Sequence, residues 1–124
     1  MINRIVSKTS YSALSVIQDE IWISEEGVGV FKLVNSELQK KSLYPQLDSL
    51  TIVNFEYFAG KNLAFTASDG IYILGGQNKL TKLEGFDGVQ ILSTQSNDRL
   101  LTLGTFSRGV IGINENLDKV IQVG

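Results

Sequence analysis

One element recurs three times along the chain, and its spacing restricts the possible folds more than any other feature. The first copy is Ile21-Trp22-Ile23-Ser24, a short loop, then Gly29-Val30-Phe31-Lys32-Leu33 and, after a turn, Leu38. Leu63-Ala64-Phe65-Thr66, a loop, Gly70-Ile71-Tyr72-Ile73-Leu74 and Leu80 form the second. The third is Leu101-Thr102-Leu103-Gly104, a loop, Gly109-Val110-Ile111-Gly112-Ile113 and Leu117. The aligned glycines Gly29, Gly70 and Gly109 stand 41 and 39 residues apart. A repeat of this length marks stacked copies of one supersecondary unit.

Each unit reads as four short strands. A β-prone run precedes each anchor: Ala13 to Ile17, Ile52 to Phe58, and Val89 to Leu92. Polar turns follow these runs at Asp19-Glu20, Gly60-Lys61-Asn62 and Ser96-Asn97-Asp98, as strand punctuation requires. The anchor strand is almost wholly apolar, which fits burial on both faces. Leu38 to Ser42, Leu80 to Leu83 and Leu117 to Val123 supply a more polar fourth strand. Lys40, Lys41, Lys82 and Lys119 lie there, and lysine suits an outer edge that must not pair with neighbours. Gly27-Val28-Gly29 and Gly75-Gly76 interrupt any helical periodicity, and Pro45 falls in a connection.

Four strands in about 40 residues, repeated, is the pattern of a β-propeller blade. The expected fold is therefore all-β, a partial propeller of three four-stranded antiparallel blades spanning residues 10–43, 50–84 and 88–124. Asn3-Arg4-Ile5-Val6 resembles Asp118-Lys119-Val120-Ile121, so residues 1–9 read as the last strand of a preceding blade. Propellers close a ring with four to eight blades. Three blades would leave two open apolar flanks. Self-association as a homo-oligomer, or missing blades of a longer chain, would then complete the ring.

Ile21-Trp22-Ile23-Ser24-Glu25-Glu26-Gly27-Val28-Gly29-Val30 resembles the two-component regulator propeller repeat, roughly Leu-Trp-Ile-Gly-Thr, two variable residues, Gly-Leu. Residues 64–72, and Leu103-Gly104-Thr105 with Gly109-Val110, are looser copies. Only the first copy keeps the tryptophan, and only the third keeps the Gly-Thr pair. The resemblance implies the extracytoplasmic sensory portion of a bacterial regulator, and with it a small carbohydrate-like ligand.

Composition removes several function classes. The chain has no cysteine, hence no disulfide or thiol chemistry, and no histidine, the commonest general acid/base. A net charge of -2, without a basic run, argues against nucleic acid. The apolar runs are too short to span a bilayer, so no membrane contact is expected of this segment. Met1-Ile2-Asn3-Arg4 reads as no secretory leader. No catalytic residue, metal ligand or cofactor site is expected: Asn114-Glu115-Asn116-Leu117-Asp118 lacks the glycine of a calcium loop, having Lys119 next. Adjacent Glu25 and Glu26 give no sign of converging as an acid/base pair. A carboxylate-based hydrolase or lyase, active only in a completed ring, is the alternative, and a purely structural segment a third.

The expected binding residues lie on loops, where a rigid scaffold places variable chemistry. Glu26, Asp69, Phe106 and Arg108 occupy the loops between second and third strands. Arg108 has a donor fork for a carboxylate or phosphate, and Phe106 a face for a flat ring. Tyr44 and Asp48, with Phe86 and Asp87, sit in the blade connections as candidate walls and hydrogen-bonding groups. Each has a plainer reading, as turn, cap or solvated side chain. Trp22 reads as packing between blades.

Overall fold

The computed structural model describes residues 11–34, 37–38 and 41–124. These form twelve strands in three antiparallel sheets with almost no helix. The first sheet holds β1 (Tyr11–Ile17), β2 (Glu20–Glu25), β3 (Gly29–Val34) and the two-residue β4 (Glu37–Leu38). The second holds β5 (Ile52–Phe58), β6 (Lys61–Thr66), β7 (Ile71–Leu74) and β8 (Leu80–Lys82). The third holds β9 (Ile91–Ser96), β10 (Leu101–Thr105), β11 (Val110–Ile113) and β12 (Lys119–Val123). Within each sheet the strands follow chain order, so every connection is a hairpin. The expected strand at residues 3–6 lies outside the described residues.

Tight turns set this register. Gln18 and Asp19 both have positive φ, as do Ala59 and Gly60, which suits two-residue hairpins whose twist matches the strands. Pro45–Leu47 make one turn of 3-10 helix in the first connection, with proline at its start. β9 runs past the expected Leu92 to Ser96. Its polar end continues because Thr94 and Ser96 bond across to the second sheet.

The three sheets stack face against face, and the second is covered on both sides. In β6 the side chains alternate: Leu63 and Phe65 enter one buried cluster, and Ala64 enters the other. Both faces of its inner stretch are dry, which is why Leu63-Ala64-Phe65 is wholly apolar. One cluster lies between the first and second sheets, with Ala13, Trp22 and Val30 against Phe55, Ala64 and Leu74. The other lies between the second and third, with Leu63, Phe65 and Ile71 against Leu101, Leu103 and Ile111. The connections plug the gaps. Tyr44 and Leu47 join the first cluster, Phe86 and Val89 the second. Each fully buried large side chain contributes about 1.5–3 kcal/mol. Trp22 stacks on Tyr44 with ring centroids 6.4 Å apart and tilts against Phe55 at 6.0 Å, as its packing role requires.

Two of the aligned glycines, Gly70 and Gly109, have a common cause. At Gly70 φ is +71°, and a Cβ there would collide with the Phe86 carbonyl; at Gly109 φ is +68°, and a Cβ would collide with the Val123 carbonyl. Each glycine lets its hairpin loop press against backbone that any side chain would displace. Gly60 has a similar φ of +75° but open space around it. Gly60→Ala should therefore cost only the left-handed penalty of about 1–2 kcal/mol. Gly70→Ala should cost at least about 3 kcal/mol, since steric overlap adds to the same penalty. Urea denaturation of the two variants tests this, and equal losses would contradict the close approach.

Candidate functional site

Three hairpin loops lie at the same end of their sheets: β2–β3, β6–β7 and β10–β11. Two share one lock. The Thr66 hydroxyl donates to the Gly70 carbonyl at 2.9 Å and accepts the Asp69 N–H at 2.8 Å. The Thr105 hydroxyl donates to the Gly109 carbonyl at 2.8 Å and accepts the Arg108 N–H at 2.9 Å. Thr66 and Thr105 are buried, so each hydroxyl satisfies backbone groups that water cannot reach. The loop residues between threonine and glycine are thus held in fixed positions while their side chains are free to vary. The first loop has Glu25 in place of the threonine and closes through Val28 N–H to the Glu25 carbonyl at 3.0 Å.

The expected binding residues divide into those committed to the scaffold and those offered to solvent. Tyr44 is buried: its ring lies on Trp22 and its hydroxyl donates to the Gly75 carbonyl at 2.8 Å, at the β7–β8 turn. Burial pushes its pKa up. It is a packing residue in this structure, as is Phe86 at 3% exposure, and neither forms a wall open to solvent. Asp48 accepts from the Ser42 hydroxyl at 2.6 Å, and Ser42 Oγ accepts the Val30 N–H at 3.2 Å, which pins the first connection to β3. Glu26 is exposed and accepts from Thr51 Oγ1 at 3.3 Å, at the threshold of β5.

Asp69 is engaged on three sides. It accepts from Lys82 Nζ at 2.8 Å, from the Tyr72 hydroxyl at 2.8 Å and from the Gly88 N–H at 3.2 Å. Lys82 also pairs with Asp87 at 3.2 Å. The Lys82 ammonium first, then the Tyr72 hydroxyl and the Gly88 N–H, hold the Asp69 carboxyl below the usual aspartate value. This group stays ionised and is unsuited to donating a proton. Phe106 and Arg108 differ from the rest. Phe106 is 72% exposed, and Arg108 is exposed two residues along the same locked loop.

A second polar feature was not anticipated from the sequence. The first strands of the sheets lie side by side, β5 between β1 and β9. Ser15 Oγ donates to Asn54 Oδ1 at 3.0 Å, and Asn54 Nδ2 donates to Thr94 Oγ1 at 2.7 Å. Thr94 Oγ1 donates in turn to Glu56 Oε2 at 2.8 Å, and Ser96 Oγ donates to Glu56 Oε1 at 2.9 Å. A continuous seam therefore crosses all three sheets. Its trace in the sequence is slight: Asn54 and Glu56 interrupt the apolar series Ile52, Phe55 and Phe58. Both Glu56 oxygens already accept hydroxyl donors, so the carboxylate acts as a structural acceptor.

No family model matches the chain, and no curated protein matches it either. Among solved structures the chain is similar to the extracellular domain of the putative hybrid two component system BT3049 from B. thetaiotaomicron. The TM-score is 0.69 at 20% identity, over 94% of this chain and 16% of that one. At that identity the likeness speaks to the fold. The chain spans about a sixth of the length of its structural neighbour.

Two measurements test the energetics. Thr94→Val removes the hydroxyl shared by Asn54 and Glu56, and should destabilise by about 1–3 kcal/mol in urea denaturation. A neutral result would mean that the seam is replaced by water without cost. For Asp69, a carboxyl lowered in the folded state contributes stability above its unfolded pKa, and that contribution is lost as pH falls through the lowered folded value. Asp69→Asn should accordingly lag wild type most near pH 7, the gap narrowing towards about pH 2. A gap that does not depend on pH would place its cause elsewhere than in the charge.

Proposed function

We propose that this chain is a three-blade segment of a β-propeller and serves as a non-catalytic binding or sensing module, in the extracytoplasmic sensory part of a two-component regulator. The observation that carries this reading is the fold likeness over 94% of the chain to an extracellular domain of such a system. The three sheets in chain order, each with its first strand beside the next, support the blade arrangement. A non-catalytic role is supported by the use of the carboxylates. Asp69 is held ionised by Lys82, and Glu56 is occupied by Thr94 and Ser96. Asp69, held below the usual aspartate value, is the opposite of the raised-pKa acid that two-carboxylate hydrolysis needs.

The ligand surface proposed is the loop rim, centred on Phe106 and Arg108, with Glu26 on a neighbouring loop. Phe106 supplies an exposed aromatic face and Arg108 a cation with a fixed donor fork. Together they suit a small carbohydrate-like molecule that carries a carboxylate. Titration of the isotopically labelled protein with glucuronate tests this by NMR. The amides of Phe106, Ser107 and Arg108 should shift, and Phe106→Ala and Arg108→Ala should each weaken the response at least tenfold. No shift up to about 10 mM, weaker than ordinary small-ligand binding, would remove the rim as a site for this class.

A further inference from the structure

Among the described residues two buried side-chain atoms have no hydrogen-bond partner, Trp22 Nε1 and Asn62 Oδ1. The Trp22 ring lies in the first cluster, against Tyr44 and Phe55. Asn62 instead lines an open crevice of about 300 Å³, together with Gln18, Tyr57, Lys61, Leu74 and Gly76. Gln18 belongs to the β1–β2 turn and Gly76 to the β7–β8 turn, while Tyr57 ends β5 and Asn62 begins β6. The crevice therefore opens where the first and second sheets part, at the end opposite the Phe106 and Arg108 loop. Two adjacent sheets of one chain build it, so it is independent of how the ring is completed.

The strand registers show that Asn62 departs from the repeat. Tyr57 pairs with Asn62, Val16 with Ile21 and Ser96 with Leu101, and these pairs are equivalent in the three sheets. Leu101 is fully buried in the second cluster. A carboxamide thus holds a position that the other two sheets give to an aliphatic side chain. A buried acceptor without a donor destabilises a fold, so stability does not account for this asparagine. Packing also recedes around it. A Cβ on Gly76 would meet nothing within 4 Å, and Tyr57 is 45% exposed while Phe55 on the same face is 2%. The side chains of Gln18, Tyr57 and Lys61 make no hydrogen bond or ion pair among the described residues.

We infer that this crevice binds a neutral monosaccharide, with Asn62 as its central polar contact and Tyr57 as its wall. The last torsion of asparagine is soft, so the amide turns its oxygen or its nitrogen to a bound molecule. Sugar hydroxyls both donate and accept, and so do the amides of Asn62 and Gln18 that flank them. The C–H face of the sugar ring lies on Tyr57 and covers aromatic surface that water otherwise wets. Lys61 is the only charge in the lining, and no carboxylate is there to receive an ammonium group. At the mouth it gives a hydroxyl one further donor. A volume of about 300 Å³ is at the lower end for small-molecule sites, which suits one ring rather than a chain of them. The site does not rest on the loop rim, and either can fail without the other.

The test is an NMR titration of the labelled protein with glucose, galactose, mannose and xylose, each to about 10 mM. At least one of the four should shift the Asn62 side-chain amide and the Gly76 backbone amide. Asn62→Leu, which installs the residue of the third sheet, should weaken the Gly76 response about tenfold or more. Its urea midpoint should equal or exceed that of wild type, because the unpaired acceptor is gone. Tyr57→Ala should weaken the same response. No shift at Asn62 and Gly76 with any of the four sugars overturns the site, as does an undiminished response in Asn62→Leu. A lower urea midpoint for Asn62→Leu also overturns it, since the amide would then be serving the fold. A response to glucuronate and to none of the four would overturn the neutral class and make Lys61 the anchor.

Discussion

Burial of the second sheet on both faces is the constraint to which the other features answer. A sheet that is apolar on both faces must bury each of them against another element, because either face left in water would be uncompensated. Here β6 sends Leu63 and Phe65 one way and Ala64 the other, so two separate clusters share one strand as their common wall. Ala64 is small where Trp22 is large, and the first cluster closes around that difference. The connections complete each cluster by lowering Tyr44 and Leu47, or Phe86 and Val89, into the gap between sheets. Packing of this kind leaves little freedom at the hairpin loops. That is why Gly70 sits where its loop meets the next connection at Phe86, and Gly109 where its loop meets the end of β12 at Val123.

Apolar burial alone would hold the sheets together without fixing how far one slides over the next. The seam from Ser15 through Asn54, Thr94 and Glu56 to Ser96 supplies that information. Each bond needs a donor opposite an acceptor at hydrogen-bonding distance, and sliding one sheet past the next by a residue would break the whole set. Leaving one member unpaired costs more than making the bond gains, so the penalty falls mainly on misregistered arrangements. The clusters thus account for cohesion, and the seam accounts for register along the first strands.

How much of this could be read from the residues follows the length scale of each interaction. The recurring Gly-to-Gly spacing and the apolar anchor strands are local in sequence, and they announced three antiparallel sheets. Trp22 was legible as packing because an isolated large aromatic in a doubly covered strand has nowhere else to go. The seam was not legible, since its bonds join residues 38 to 40 apart and depend on how one sheet faces the next. The burial of Tyr44 was hidden for a related reason. An aromatic residue beside Pro45 looks like a rim residue until the connection is known to dip between the sheets. Asp69 looked available for a ligand, and its commitment to Lys82 and Tyr72 depends on strands β7 and β8 lying alongside the loop.

The division between fixed and free positions in the loops bears directly on function. Thr66 and Gly70, like Thr105 and Gly109, spend their hydrogen bonds on one another and on backbone, so the residues between them tolerate change without loss of loop shape. In the second loop that freedom is used internally: Asp69 turns back to Lys82 and Gly88 and helps hold the next connection. In the third loop it is not. Phe106 stays 72% exposed on a loop whose backbone is as firmly held as its neighbour's, so exposing it costs apolar surface with no gain in packing. An exposed aromatic on a rigid support loses little conformational entropy when a ligand covers it, which is the condition for a binding contact to be worth more than the order it demands. Arg108, anchored through its N–H to Thr105 while its side chain is free, meets the same condition for an anionic group.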